Sequence, residues 1–137
     1  MVARLAQPDY SVLVSEGDWA WPQAVLEIFK PRAVSLLVAH RIAELVNVIE
    51  SRRIHTAIVD MDWSEGGLAA VKVIRANCPS VPCIALASNA SQWLLSRVLE
   101  LDVFSVIDKP VDMLVLQQQL NRLFLKKYSS DLFQVVR

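Results

Sequence analysis

The chain has little of what dedicated cofactor and metal sites need. Its 137 residues include only 3 glycines and 2 cysteines, and no Gly-x-Gly turn follows the first apolar run. Flavin and nucleotide binders use glycine-rich or hydroxyl-rich loops to cradle phosphates, so that class is disfavoured. Cys78 and Cys83 lack a second pair that would complete a metal site, and we expect both to be small buried hydrophobes.

Two further absences concern charge and long apolar runs. Lysine plus arginine equals aspartate plus glutamate at 14 each, so no global field draws the chain to nucleic acid, and direct nucleic-acid binding is not expected. No apolar run approaches the roughly 18 residues of a membrane helix, so no membrane association is expected. Residues 1–9 lack the layout of a signal peptide, which favours a cytoplasmic protein.

What the chain does have is a regular alternation of short apolar runs and amphipathic segments. That alternation predicts an α/β fold with a parallel, doubly wound sheet. The hydrophobic fraction of 54% suits strands covered on both faces. Strands are predicted at 11–14, 33–39, 56–60, 83–87 and 104–108. Helices are predicted after Pro22 through Phe29, at 41–51, at 68–76, after a cap at Asn89 or Ser91, and from a cap at Asp112 to 128.

The most specific signal is a pair of opposite charges at the ends of two predicted strands. Asp60 ends the run Thr56–Asp60, and Lys109-Pro110 follows the run that ends at Asp108. Ligands of open α/β sheets bind outside the carboxyl ends of the strands. We therefore expect the carboxylate and the ammonium to meet in one cleft.

An aspartyl phosphate needs a nucleophile, a divalent cation and a positive group on the phosphoryl oxygens. Asp60 can be the nucleophile and Lys109 the fixed counter-charge. Glu16, just after the first strand, and the carbonyl of Asp62 are candidate ligands for Mg2+ beside Asp60, because Mg2+ is bound through one or two carboxylates plus waters. The hypothesis requires Glu16, Asp60 and Lys109 to share one cleft.

With these residues, the chain resembles a response-regulator receiver domain, over roughly 10–128. Each matching motif is weak alone, but their order and spacing together are more specific. They are Val12-Leu13-Val14-Ser15-Glu16, Ala57-Ile58-Val59-Asp60-Met61-Asp62 with Gly67 downstream, Ile84-Ala85-Leu86-Ala87-Ser88, and Val106-Ile107-Asp108-Lys109-Pro110.

The resemblance implies a flavodoxin-like five-stranded sheet in the order 2-1-3-4-5 with five helices. Residues 1–9 then form an N-terminal extension, and 129–137 a tail or linker. A sensor histidine kinase or phosphotransfer protein would donate a phosphoryl group to Asp60, with Mg2+ as cofactor. The only catalysis expected is phosphorylation and dephosphorylation of Asp60 itself. A cis peptide is implied before Pro110.

Signalling is implied through the face formed by the fourth helix, fifth strand and fifth helix, which would contact a partner, an output domain or a second copy. Trp93 on the predicted fourth helix is compatible with such an interface, although a wide buried face explains it nearly as well. We expect Trp63 and Trp19 to be packing residues near the pocket, and His40 and His55 to serve in loops or caps.

Several positions depart from the receiver pattern. Ser15 stands where the first of two acids is usual. Ala87 takes the place of the switch hydroxyl, leaving Ser88 one residue late as the candidate catalytic hydroxyl. Val106 replaces the aromatic partner of that switch. The loop after Asp60 lacks the usual proline and is one residue shorter. Ser15, Ala87 and Val106 favour an alternative, a pseudo-receiver that binds proteins without phosphorylation.

Overall fold

The computed structural model describes residues 10–16, 23–32, 34–88 and 92–134. Within these ranges five strands alternate with five helices, and a 3-10 turn at Lys30–Arg32 follows the first helix. The strands are Tyr10–Ser15 (β1), Val34–Ala39 (β2), Thr56–Asp60 (β3), Cys83–Ala87 (β4) and Ser105–Asp108 (β5). The helices are Gln23–Phe29 (α1), Ile42–Ser51 (α2), Gly67–Asn77 (α3), Gln92–Glu100 (α4) and Met113–Tyr128 (α5).

The sheet has the strand order β2-β1-β3-β4-β5, and every neighbouring pair is parallel. The predicted α/β class, doubly wound topology and strand order are thereby confirmed. Since all strands run the same way, their carboxyl ends form one rim of the sheet and their amino ends form the opposite rim. The loops after β1, β3, β4 and β5 therefore share the carboxyl-end rim, where ligands of such folds bind.

Side chains alternate between two apolar layers, one on each face of the sheet. In β1, Val12 and Val14 belong to the layer under α1 and α5, while Leu13 belongs to the layer under α2 and α3. In β3, Ile58 lies in the first layer and Val59 in the second. This period of two, with both faces buried, explains why the strands read as continuous apolar runs in the sequence.

Most predicted boundaries agree with the structure to within a residue. β3, β4 and the Asp112-capped α5 are as predicted: the Asp112 carboxylate accepts the backbone N–H groups of Leu114 and Val115. Asp112 thus satisfies N–H groups that have no partner within the helix. The predicted roles of Pro22 and of Asn89 or Ser91 fall on residues outside the described ranges, as do Trp19 and 1–9.

The segment after α5 packs against the body of the domain. Phe133 is fully buried, and its ring meets the rings of Phe29 and Phe124 edge-on. The Arg32 guanidinium donates to the Leu132 carbonyl across 3.2 Å. The sequence left open whether 129–137 is a tail or a linker; the part up to 134 adds an aromatic side chain to the core.

The amino-end rim holds an aromatic cluster around His55. The His55 ring lies 4.9 Å from the Tyr10 ring and 5.3 Å from the Tyr128 ring. Its Nδ1 accepts the Ser11 N–H, and its carbonyl accepts the Tyr128 hydroxyl. Burial, and then the Arg53 charge, lower the pKa of His55. His55 lies in a loop as predicted, but its contacts show that it also joins β1 to α5.

Cys83 is fully buried, as predicted, whereas Cys78 is half-buried; both thiols are free. Burial raises the pKa of the Cys83 thiol. Among the described residues, no helix combines the length and apolar character needed to cross a bilayer.

Candidate functional site

Asp60 and Lys109 form an ion pair at the carboxyl-end rim. The Lys109 ammonium donates to both Asp60 oxygens, with Nζ 2.9 Å from Oδ2 and 3.1 Å from Oδ1. Asp60 is only 2% exposed, because β3 lies in the middle of the sheet. Lys109 directly follows β5, and its peptide bond to Pro110 is cis, as the resemblance implied. The structure thus brings two of the three expected side chains together.

A second carboxylate, that of Asp62, reaches the same ammonium. Its Oδ2 lies 3.2 Å from Lys109 Nζ and accepts the Ser88 hydroxyl at 2.7 Å. The Asp62 N–H donates to Asp60 Oδ1 at 2.9 Å, which folds the turn so that both acids face Lys109. Only the Asp62 carbonyl was predicted to face the site. The Asp-x-Asp spacing in a tight turn was the signal for its side chain.

The electrostatics keep Asp62 and Lys109 charged at neutral pH. The hydrogen bond from Ser88 is the main cause that lowers the pKa of Asp62, with Lys109 contributing further. Burial alone would lower the pKa of Lys109, but hydrogen bonds and the charges of Asp60 and Asp62 outweigh it and raise that pKa. One ammonium therefore serves two carboxylates, and the cluster carries a net negative charge.

Ser15 ties the main chain of Asp60 to β1. The Asp60 N–H donates to the buried Ser15 hydroxyl oxygen across 2.8 Å. A hydroxyl does this without charge, whereas an acid at this position would add a second buried negative charge beside Asp60. Ser15, which stands where an acid is usual, thus has a structural role: its hydroxyl oxygen accepts a hydrogen bond from the backbone of the candidate nucleophile.

Gly67 allows α3 to begin directly against the turn that carries the two acids. A Cβ atom at this position would lie 2.4 Å from the Asp60 carbonyl oxygen and 2.5 Å from the Met61 Cα. Both are backbone atoms, so the collision cannot be relieved by a change of side-chain rotamer. Gly67 is therefore required for the close approach of α3 to the site.

Glu16 lies at the same rim, but its carboxylate contacts His40, not the Asp60 pair. Glu16 Oε2 and His40 Nδ1 are in direct contact, and Glu44 accepts the His40 N–H. His40 lies in a loop, as predicted, but its pairing with Glu16 was missed: it joins residues 24 apart in the chain across the β1–β2 edge. The contact with His40 occupies the Glu16 carboxylate, which was predicted to complete the metal site.

Two of the predicted ligands are oxygen donors of the kind that Mg2+ binds. Across residues 10–16, 23–32, 34–88 and 92–134, no group of three His, Cys, Asp or Glu side chains is placed to hold a metal ion. Two carboxylates, of Asp60 and Asp62, do converge on one ammonium, and Mg2+ is often held by one or two carboxylates with waters completing its octahedron. Those two acids fit the chemistry of a magnesium site; Glu16 as a third ligand stays a prediction.

The positions tied to signalling are divided between core and surface. Ala87 is buried and Val106 is half-buried, so neither offers a polar group to the site. Trp63 is buried, as expected for a packing residue, and its backbone N–H donates to the Asp60 carbonyl. Trp93 is 61% exposed and lies beside the Arg97 guanidinium. It therefore does not belong to a wide buried face of α4 and is available at the surface.

The surface of α4, β5 and α5 has further apolar side chains. Leu99 on α4 and Leu114 on α5 are more than half exposed. A cavity of about 500 Å³ between β5 and α5 is lined by Val106, Val115 and Arg122, among others. We call these three elements the α4-β5-α5 face. Exposed apolar groups bordered by charges are typical of protein-interaction surfaces.

No protein-family model and no curated protein matches this sequence. Solved structures do match in three dimensions. The signal receiver domain of an HD domain-containing protein from Pseudomonas fluorescens Pf-5 is 18% identical with a TM-score of 0.78, covering 88% of this chain and 98% of that one. A CheY-like response regulator receiver domain protein from Methanospirillum hungatei JF-1 is 17% identical with a TM-score of 0.78, covering 88% and 97%.

A longer protein gives the same match over one part of its length. NtrX from Brucella abortus is 20% identical with a TM-score of 0.67, and the alignment covers 93% of this chain but 30% of NtrX. At these identities the comparisons establish a shared fold: the described part of this chain has the fold of response-regulator receiver domains.

Proposed function

We propose that this chain is a receiver-type signalling domain in which Asp60 accepts a phosphoryl group from a phosphohistidine of a kinase or phosphotransfer protein. The observation that carries the proposal is the position of Lys109, whose ammonium bonds both oxygens of Asp60 and one of Asp62 at the carboxyl-end rim. A fixed cation beside a carboxylate is the arrangement that phosphoryl transfer to that carboxylate needs.

In the transfer step, an Asp60 oxygen attacks phosphorus and forms the new O–P bond. The P–N bond to the donor imidazole breaks, and that nitrogen keeps the electron pair. The Lys109 ammonium offsets the charge on the phosphoryl oxygens, and the Asp62 N–H holds Asp60 Oδ1 in position. Attack by water on phosphorus later releases phosphate and restores the Asp60 carboxylate.

Mg2+ belongs to the same proposal. Asp60 and Asp62 would hold the cation, with Glu16 as the predicted third acid, and the cation would supply positive charge for the incoming phosphoryl group. For Glu16 to take part, its carboxylate must leave His40. Asp62 has a more central role here than the sequence suggested, because its carboxylate already faces Lys109.

The output of the domain is proposed to act through the α4-β5-α5 face. Trp93, Leu99 and Leu114 offer exposed apolar anchors for a partner, an output domain or a second copy of the chain. NtrX, in which a match to this chain occupies 30% of a longer protein, supports an attached output domain as one form of partner. A cytoplasmic location, where kinases of this class act, is part of the proposal.

Treatment with acetyl phosphate and Mg2+ tests phosphoryl acceptance, and intact-mass spectrometry reads the result. We expect one added phosphoryl group on the wild type and none on Asp60→Asn. Asp108→Asn is the matched control, because it removes an exposed acid at the end of β5 and leaves the Lys109 cluster intact. Modification of Asp60→Asn at the wild-type level, or none on the wild type, would contradict the proposal.

The alternative is a pseudo-receiver that binds a partner without phosphate. The near-complete burial of the Asp60 side chain in its ion pair favours it, together with Ser15, Ala87 and Val106. Beryllofluoride, a phosphoryl mimic, discriminates between the two. It should change the intrinsic tryptophan fluorescence of a receiver in the presence of Mg2+ and have no effect on that of a pseudo-receiver or of Asp60→Asn.

A further inference from the structure

A second cavity lies at the opposite rim, by the amino ends of β4 and β5. Its volume is about 440 Å³, within the range of small-molecule pockets. Three segments form its walls: the loop from α3 into β4, the loop from α4 into β5, and the last turns of α5. The side chains that define its chemistry are Arg75, Asp102, Phe104, Arg122, Lys126 and Lys127.

The cavity is strongly basic, with four cationic side chains and one carboxylate in its lining. Cations are favoured at the carboxyl-terminal ends of helices because unpaired carbonyl groups point there, which accounts for Lys126 and Lys127 in the last turn of α5. Arg75 lies in the last turn of α3, so cations from the ends of two different helices face the same space. A chain with no net charge has therefore concentrated positive charge around one concave site.

Two of the cations are held in place by the protein. The Arg75 guanidinium donates to the Pro79 carbonyl at 3.0 Å and to the Cys83 thiol at 3.3 Å. Its Nε is buried without a hydrogen-bond partner in the part of the chain that the structure describes. The Arg122 guanidinium stacks over the Phe104 ring at 5.8 Å from its centroid. Such fixed guanidinium groups lose little freedom when an anion binds.

We propose that this cavity binds a small ligand that carries a phosphate group. Four cations around one carboxylate match a ligand with two or more negative charges better than a monocarboxylate. Arginine is suited to phosphate through paired N–H donors, and lysine through its point charge. Phe104 and the prolines of the α3–β4 loop give the cavity an apolar wall beside the charges. The ligand enters at the rim opposite Asp60, so the site is separate from the proposed phosphoryl acceptor.

Isothermal titration with pyrophosphate, at low ionic strength and with EDTA present, tests the site. ADP forms a second arm, and tighter binding of ADP than of pyrophosphate would identify a nucleoside phosphate as the source of the phosphate group. We expect saturable binding by the wild type, weakened by about tenfold per lost charge-assisted contact in Lys126→Glu/Lys127→Glu. Asp60→Asn should bind as the wild type does.

Lys30→Glu/Lys72→Glu is the matched control, because it makes the same charge change at exposed lysines outside the cavity. Equal weakening in both double variants would show general attraction to the chain and overturn the proposal, as would absence of saturable binding by the wild type. NMR titration of the wild type gives an independent reading. Shifts confined to 79–82, 102–104 and the end of α5 support the site, and shifts centred on Asp60 and Lys109 refute it.

Discussion

The two rims of the sheet are built by different means. At the carboxyl-end rim, Asp60 and Lys109 are held by hydrogen bonds and charge, and Asp62 and Ser88 beside them are exposed to solvent. At the amino-end rim, rings of Tyr10, Phe124 and Phe133 pack edge to face. The first cluster positions chemical groups, while the second buries aromatic rings.

The difference suggests a division of labour between chemistry and stability. Polar clusters contribute little net free energy, since the desolvation of charged groups cancels most of their attraction. Buried aromatic rings contribute several kcal/mol each. We therefore expect substitutions at the amino-end rim to affect stability more than phosphoryl acceptance, and substitutions of Asp60 and its neighbours to show the reverse order.

The largest stability effect is expected at Phe133. Phe133→Ala removes a fully buried ring between Phe29 and Phe124 and should lower the free energy of unfolding by about 3 to 5 kcal/mol, because a cavity remains. Urea denaturation measures the change. Leu125→Ala, at an exposed position of α5, is the control and should cost less than about 1 kcal/mol. Equal losses would show that the segment after α5 is not part of the core.

Substitution of Lys109 is the most severe test of the comparison between the two rims, because the ion pair of Lys109 with Asp60 is buried. Lys109→Met leaves the Asp60 carboxylate without its cation and should cost about 3 kcal/mol at neutral pH. Adding Asp60→Asn in the same chain should recover part of that loss, since the unpaired charge is then gone. Chemical denaturation of both variants gives the answer; a double variant less stable than Lys109→Met would contradict a charge-based cause.

Asp112 should show a smaller effect, confined to stability. Asp112→Ala removes the cap that accepts the N–H groups of Leu114 and Val115, which should cost about 1 kcal/mol. Asp112→Asn keeps a capping oxygen and should lie near the wild type. Phosphorylation of Asp60 should be unchanged in both, although Asp112 lies at the carboxyl-end rim. A loss of phosphorylation in either would mean that the cap also shapes the site.

The smallest effect is a pH dependence from His55. Burial and the Arg53 charge lower its pKa in the folded state, so the unfolded chain binds the proton first as pH falls. The stabilisation is complete above the unfolded pKa of about 6.5 and decreases as pH drops toward the folded value. Thermal unfolding between neutral and mildly acidic pH should show a shallower decline in His55→Gln than in the wild type. An unchanged slope would place the acid sensitivity elsewhere.

The fold was predictable because its signals are local. The runs Thr56–Asp60 and Cys83–Ala87 are continuous apolar stretches between turn residues, and the structure gives both the same bounds. The meeting of Asp60 and Lys109 followed from topology, since the carboxyl ends of all strands in a parallel sheet share one rim. For the strands, the apolar run between turn residues was sufficient. For the meeting of Asp60 and Lys109, the common direction of the strands was sufficient.

What could not be predicted depends on side-chain partners across the sheet. Glu16 was expected beside Asp60, yet its carboxylate is engaged by His40, which only the pairing of β1 with β2 brings near. The Asp62 carboxylate enters the site because its own N–H folds the turn onto Asp60. Phe133 lies beyond the last helix, where no periodicity marks a buried ring. These contacts are set by tertiary packing, which leaves no regular pattern in the sequence.

Gly67 gives the domain a steric control over its own chemistry. At Gly67, where α3 starts, there is room for a hydrogen atom but not for a Cβ atom. The position of the turn that carries Asp60 and Asp62 therefore depends on the absence of a side chain at Gly67. Any larger residue there would act as a wedge between the helix and the turn, lifting the pair of acids relative to Lys109 with no change in charge. Selection or engineering could thus retune the proposed phosphoryl transfer through a residue that has no side chain of its own.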